Sequence, residues 1–145
     1  MLWKVVQNAL LTKSRLMEMG FDAGLTCLFC DNETETTHHL FLQCTYTMML
    51  FDKMMQHAGC NLLSSLRAVD LDMIYKATRW RTMKARCLTI CLKKYMSIVW
   101  LERNLICFEK KRRDGHVLWE VLKKDIYQAM MLLPSFPSVN RDVWR

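Results

Sequence analysis

Glycine and proline are nearly missing from this sequence, at four and two residues in 145. So few turn formers exclude a many-turned β architecture, and an apolar share of 52% excludes a disordered chain. No apolar run reaches the ~20 residues that a membrane span needs, because Lys93 and Lys94 interrupt the longest one, "CLTICLKKYMSIVWL". The opening "MLWKVVQNALLTKSRLM" carries Lys4 and Lys13 at amphipathic spacing and lacks the basic-then-apolar order of a secretory leader. An intracellular, reducing compartment is therefore expected, with nuclear and cytoplasmic addresses both compatible. The seven cysteines are odd in number and read as thiols rather than as a disulfide framework. Asn32-Glu33-Thr34 is formally a glycosylation sequon, and without a leader it reads as a loop signal.

What is present is the composition of a packed helical protein of about one domain, long enough to bury roughly two thirds of its unfolded surface. The net charge of +7 is unevenly spread. Residues 1–75 hold five Lys/Arg against eight Asp/Glu, whereas residues 76–145 hold sixteen against six. The basic character belongs to the C-terminal half.

Residues 1–19 predict two short helices, with Trp3, Val6 and Leu10 on one face. Thr12 is placed to cap "KSRLMEM" and Gly20 to stop it. Residues 21–37 lack helical period and predict a loop or small hairpin. From His38 the apolar spacing resumes, leading into a helix from about Thr45 to Ala58 with Met48, Met49, Phe51, Met54 and Met55 as its core face. Asp70 is a candidate cap for a segment leading into a long helical pattern over 72–112. Its repeating positions are Trp80, Met83, Cys87, Cys91, Ile98, Leu101, Leu105 and Phe108. Between Cys87 and Leu101 the opposite face is apolar too, which marks a central helix packed on more than one side. Asp114 reads as the cap of a last helix ending at Leu133, before Pro134 and Pro137.

The chemistry concentrates in "CLFCDNETETTHHLFLQC", residues 27–44. Zinc takes four tetrahedral ligands, and a CxxC turn offers two thiolates that a later His and Cys can complete. Cys27 and Cys30 form the turn and Cys44 closes the set, with either His38 or His39 as the fourth donor. Were 38–44 one α-helix, His39 and Cys44 would point about 140° apart, so the ligands must straddle a helix start; this does not choose between the histidines. A rival register would pair His57 and Cys60 with the CxxC turn. Nothing resembles the hydrolytic HExxH pattern, so one structural Zn2+ is expected rather than a catalytic one. The fold class that follows is mainly α: a helical domain with an inserted small zinc-binding loop or hairpin bearing a Cys-Cys-His-Cys site.

These residues resemble the zinc-binding domain at the C-terminal end of plant LINE-type (non-LTR) retrotransposon reverse transcriptases. Trp3, Lys4, Asn8, Leu10, Thr12 and Leu16 match the family's opening blocks. Cys27, Cys30, Glu35, Thr36, His39, Leu40, Phe41 and Cys44 match its cysteine-histidine block, whose spacing selects His39 over His38. Trp100, Glu102, Arg103, Asn104 and Phe108 in "WLERNLICFE" match a motif that often follows. Ala9 and Leu11 depart from the family's Arg and Pro. The resemblance implies a zinc-binding domain over 1–60 with a basic helical region over 61–145 packed against it. No Tyr-x-Asp-Asp block or adjacent aspartate pair is present, so the chain looks like a detached C-terminal piece of such a polyprotein, without catalysis of its own.

RNA or DNA is the partner the resemblance implies. The densest cationic cluster is Lys110, Lys111, Arg112 and Arg113, joined by Trp80 and Arg81 upstream, with Trp80 placed to stack on a base. "KKRR" also suits a nuclear-localisation patch. Asp31, Glu33 and Glu35 give the zinc loop an acidic rim, so phosphate contact is expected from the C-terminal half. A protein-interaction module is the alternative, supported by 12 methionines and with the missing polymerase portion among the partners. Neither a small-molecule substrate nor a membrane is expected. Cys60, Cys87, Cys91 and Cys107 have no catalytic motif around them, and His116 stands alone.

Overall fold

The computed structural model describes residues 1–58, 75, 76, 79 and 82–133. The elements with full bounds among the described residues are α1 (Leu2–Val6), α2 (Lys13–Glu18), a π turn (His39–Gln43), α3 (Thr45–His57), α4 (Met83–Glu109) and α5 (Gly115–Met131), and Tyr75 and Lys76 are helical as well. There is no sheet among these residues. A single antiparallel bridge, Thr26 to Thr34, closes the small hairpin that carries the CxxC turn. The fold is thus mainly α with an inserted hairpin, as the sequence predicts.

The short N-terminal helices are delimited by local chemistry. Thr12 caps α2 by accepting the Arg15 N–H at 3.4 Å. At the other end Gly20 takes the left-handed conformation, with φ +85°. Phe21 N–H then reaches Leu16 O and Gly20 N–H reaches Met17 O, both at 3.0 Å. This pair of bonds is the Schellman closure that a glycine past the last turn permits.

α4 is the central element, touching α1, α3, the π turn and α5. Its inward residues Cys91, Leu92, Tyr95, Met96, Ile98 and Val99 join Leu40, Phe41, Leu50, Phe51, Met54 and Met55 from the zinc-loop side. Leu118, Leu122, Ile126 and Met130 of α5 complete one apolar core. α5 begins at Asp114, whose carboxylate accepts the His116 N–H at 2.7 Å.

The structure corrects several expected faces. Leu2 and Val5, not Trp3, are the buried positions of α1, and Trp3 is 58% exposed. On α3, Leu50 takes a core place that the spacing assigns to Met49, which is exposed. The long helix starts after Thr82, whose side chain accepts the Ala85 N–H and whose extended backbone interrupts the pattern. Leu101 and Phe108 lie on the outside of α4, Phe108 being 78% exposed. Asp70, Trp80, Arg81, Pro134 and Pro137 lie outside the described residues.

Candidate metal centre

Cys27, Cys30, His39 and Cys44 converge, with all four potential ligand atoms within 4.8 Å of one another. In a zinc tetrahedron with bonds of about 2.3 Å to sulfur and about 2.0 Å to nitrogen, two sulfurs lie about 3.8 Å apart and sulfur and nitrogen about 3.5 Å. The Cys27 and Cys44 sulfurs are 3.9 Å apart, and Cys30 Sγ is 3.4 Å from His39 Nε2. The donor set therefore fits zinc in both spacing and softness. Four protein donors fill a tetrahedron and leave no open position, which is the arrangement of a structural site.

The hairpin builds the first half. Cys27 N–H donates to Glu33 O at 2.8 Å and Asp31 N–H to Cys27 O at 3.0 Å, while Asp31 adopts a left-handed φ of +52° that tightens the turn. Phe29 N–H points at Cys27 Sγ at 3.4 Å.

The π turn builds the second half. Thr36 Oγ1 accepts the His39 N–H at 2.9 Å, and Cys44 N–H closes onto His39 O at 2.8 Å. An i to i+5 closure brings residues five apart back toward one side, which an α-helix could not do for His39 and Cys44. His39 is buried and joins the cluster, whereas His38 is half-buried and stays out of it. His57 ends α3, about 20 Å along the axis from Cys44, and rests edge-on against Trp119 at 5.4 Å. Cys60 lies outside the described residues, and the rival register loses its histidine to this separation.

Electrostatics prepare the donors unequally. The Cys44 thiol is lowered to about 7 by the hydrogen bond from Cys27, aided by N–H groups of Tyr46 and Thr47 at the start of α3 and opposed by burial. Cys27, the donor in that bond and buried, is pushed up. Burial also pushes His39 below its usual value against the pull of Glu33 and Glu35, favouring the neutral imidazole that a metal requires.

Glu35 is not part of an acidic rim. It is fully buried, and its Oε1 accepts Arg103 Nη2 at 3.0 Å, Arg103 Nε at 3.1 Å and Lys13 N–H at 3.0 Å. Its other oxygen takes Leu28 N–H, beside the CxxC turn, at 3.4 Å. Glu102, next in sequence to Arg103, serves a different partner: it accepts Arg113 Nε at 2.6 Å and Arg113 N–H at 2.7 Å. "WLERN" is thus a structural strap, with Asn104 receiving Arg103 Nη1 at 3.2 Å and Trp100 lying 5.1 Å under the same guanidinium.

Tyr95 completes the support and carries no metal-binding signal in sequence. Its only hint is a phenol inside the most apolar stretch of α4, where a buried hydroxyl must find a partner. It donates within reach of Phe41 O at 2.9 Å and Thr47 O at 3.2 Å, holding the π turn and α3 together. Burial pushes its hydroxyl up. Tyr95→Phe is expected to lower stability by about 1–3 kcal/mol, since two buried carbonyls lose a donor, read as a fall in thermal midpoint with zinc retained.

The basic cluster is partly committed to structure. Lys110 takes a left-handed φ of +56° to end α4, and its amine returns to Cys107 O at 3.0 Å. Lys111 pairs with Glu109 at 3.3 Å at the surface, and Arg113 is held by Glu102. Arg112 lies 4.1 Å over the Tyr46 ring, which stacks at 5.1 Å on Phe29 inside the CxxC turn. Tyr46 Oη also donates to Arg113 O at 3.1 Å. The loop over 110–113 is therefore seated on the metal centre's own aromatic residues.

No curated protein and no solved structure matches this chain. Residues 1–51, which hold all four cluster donors, match the family described as zinc-binding in reverse transcriptase, and over that stretch the chain is similar to such zinc-binding domains.

Proposed function

We propose that the chain is a non-catalytic zinc module in which Cys27, Cys30, His39 and Cys44 hold one structural Zn2+ and the loop over Lys110, Lys111, Arg112 and Arg113 contacts RNA or DNA. The observation that carries the metal part is the convergence of three sulfurs and one imidazole within 4.8 Å. The nucleic-acid part is supported by the stack of Phe29, Tyr46 and Arg112, which fixes a cationic loop to the metal-bearing turn, and by the family match over 1–51. In this reading zinc supplies rigidity only. In the same reading Lys111 and Arg112 are the cations that meet phosphate: among the described residues Lys111 is paired only with Glu109 at the exposed surface and Arg112 only with the Tyr46 ring, whereas Arg113 is held by the buried Glu102 and Lys110 returns to a helix-end carbonyl. Trp80 and Arg81 remain candidate contacts. A reverse-transcriptase portion supplied by a longer polypeptide is the natural protein neighbour of such a module.

Titration of the purified chain with single-stranded RNA and with duplex DNA at two salt concentrations tests this. Binding that weakens as salt rises is expected, and Lys111→Ala with Arg112→Ala should weaken it and flatten the salt slope by about two phosphate contacts. Absence of binding at low salt would sink the nucleic-acid reading, and a zinc content well below one per chain would sink the metal reading.

A further inference from the structure

A groove of about 560 Å³ opens beside the metal centre along α3. It is lined by the apolar Leu42, Met48 and Met49, by the carboxylates of Glu33 and Asp52, and by His39. Met49 is 57% exposed there. Neither carboxylate forms an ion pair among the described residues, and His39 Nδ1 makes no hydrogen bond among them, although the other ring nitrogen faces Cys30. A metal-ligating imidazole ordinarily gives its second N–H to a carbonyl, a carboxylate or water.

We propose that this groove docks a lysine- or arginine-bearing peptide segment of a partner protein. Charge complementarity selects the occupant: two carboxylates repel phosphate, which distinguishes this groove in charge from the cationic loop, and they attract an ammonium or guanidinium group. The apolar lining accepts the long aliphatic stem of such a side chain while its charged head meets Glu33 and Asp52. Methionines give that lining the adaptability that peptide-binding surfaces use. A backbone carbonyl of the peptide is the chemical match for the His39 Nδ1–H. The proposal stands apart from nucleic-acid binding and survives the failure of that reading.

The test is a chemical-shift titration of the zinc-loaded chain with an amidated hexapeptide bearing two lysines around a leucine. The same peptide with glutamates replacing the lysines is the control. Shifts concentrated at Leu42, Met48, Met49 and His39, given by the lysine peptide alone, are expected. Glu33→Gln combined with Asp52→Asn should weaken binding by about tenfold, two partly exposed charge contacts being removed. Asp22→Asn, an exposed acid outside the groove and outside the metal-bearing turn, should leave binding unchanged. Zinc content and the amide spectrum of each variant establish that it is folded. Shifts that miss the groove, equal response to both peptides, or equal loss with Asp22→Asn would overturn the proposal. So would a concentration-dependent self-association abolished by the double substitution, with no peptide response, which would give the groove to a second copy of the chain.

Discussion

Stripping the metal with a chelator, or replacing the imidazole by His39→Ala, is expected to unfold at least residues 20–50 and to loosen the helices packed on them. Structural zinc sites in small modules contribute roughly 10–16 kcal/mol, against a typical total stability of about 5–15 kcal/mol. Few internal contacts replace the metal in the hairpin. It has one isolated bridge, no sheet, and a turn held in a left-handed conformation at Asp31. Loss of the hairpin also releases Leu28 N–H from Glu35 and removes Phe29 from under Tyr46. Arg112 would then lose its platform. His38→Ala is the control, because His38 lies outside the cluster. Bound zinc by elemental analysis and the far-ultraviolet and near-ultraviolet dichroism of both variants decide the matter. Zinc lost only on the His38 change would refute the assignment.

Acid should act through the same group. The folded pKa of His39 is depressed by burial, so the folded state binds fewer protons there than the unfolded chain. Its contribution is fully present above the unfolded value of about 6.5 and is lost as pH falls from there through the folded value. Thiolate protonation works in the same direction once zinc is bound, since each ligand must be deprotonated. Zinc release on acidification, with little change on going from neutral to mildly alkaline pH, is the expected profile.

The second large effect is expected at Arg103. Arg103→Met should cost about 3–5 kcal/mol, because it leaves the Glu35 carboxylate buried without its cation. For a chain of this length that corresponds to a fall of about 10 °C in thermal midpoint. The pair spans 68 residues and fastens α4 both to the start of α2, through Lys13 N–H, and to the CxxC turn, through Leu28 N–H. Glu35→Gln alone should be similarly harmful, the guanidinium then being the uncompensated charge. The double variant should be less harmful than the two single losses added, since neither charge remains. A midpoint for Arg103→Met within 2 °C of the parent, an allowance of about 1 kcal/mol or less, would show the pair to be dispensable.

Much of the candidate site is legible in sequence because ligand chemistry is local. Three cysteines and a histidine within 18 residues have few other uses together, and the resemblance to reverse-transcriptase zinc-binding domains rests on the same stretch. Caps are local too: Thr12, Gly20 and Asp114 act where the sequence places them. Which histidine serves is less legible, since it depends on a π turn between His39 and Cys44 that helical periodicity does not anticipate.

Glu35 and Phe108 show the other side. In sequence Glu35 is one acid among several in a polar loop, and only its meeting with Arg103 turns it into the buried hinge of the structure. Phe108 repeats in step with core positions, yet it projects outward, since none of the described elements covers it. Periodicity reports which residues share a face, but neighbours decide whether that face is covered. The sequence by itself determined the helical class, the short cysteine- and histidine-rich stretch that carries the candidate metal donors, and the basic C-terminal half, all matters of composition and short spacing. Only the tertiary structure decided that the cationic loop sits on Tyr46 and Phe29, that Tyr95 ties the π turn to α3, and that an acidic groove opens beside His39. Each of these joins residues or surfaces that chain packing, rather than local spacing, brings together.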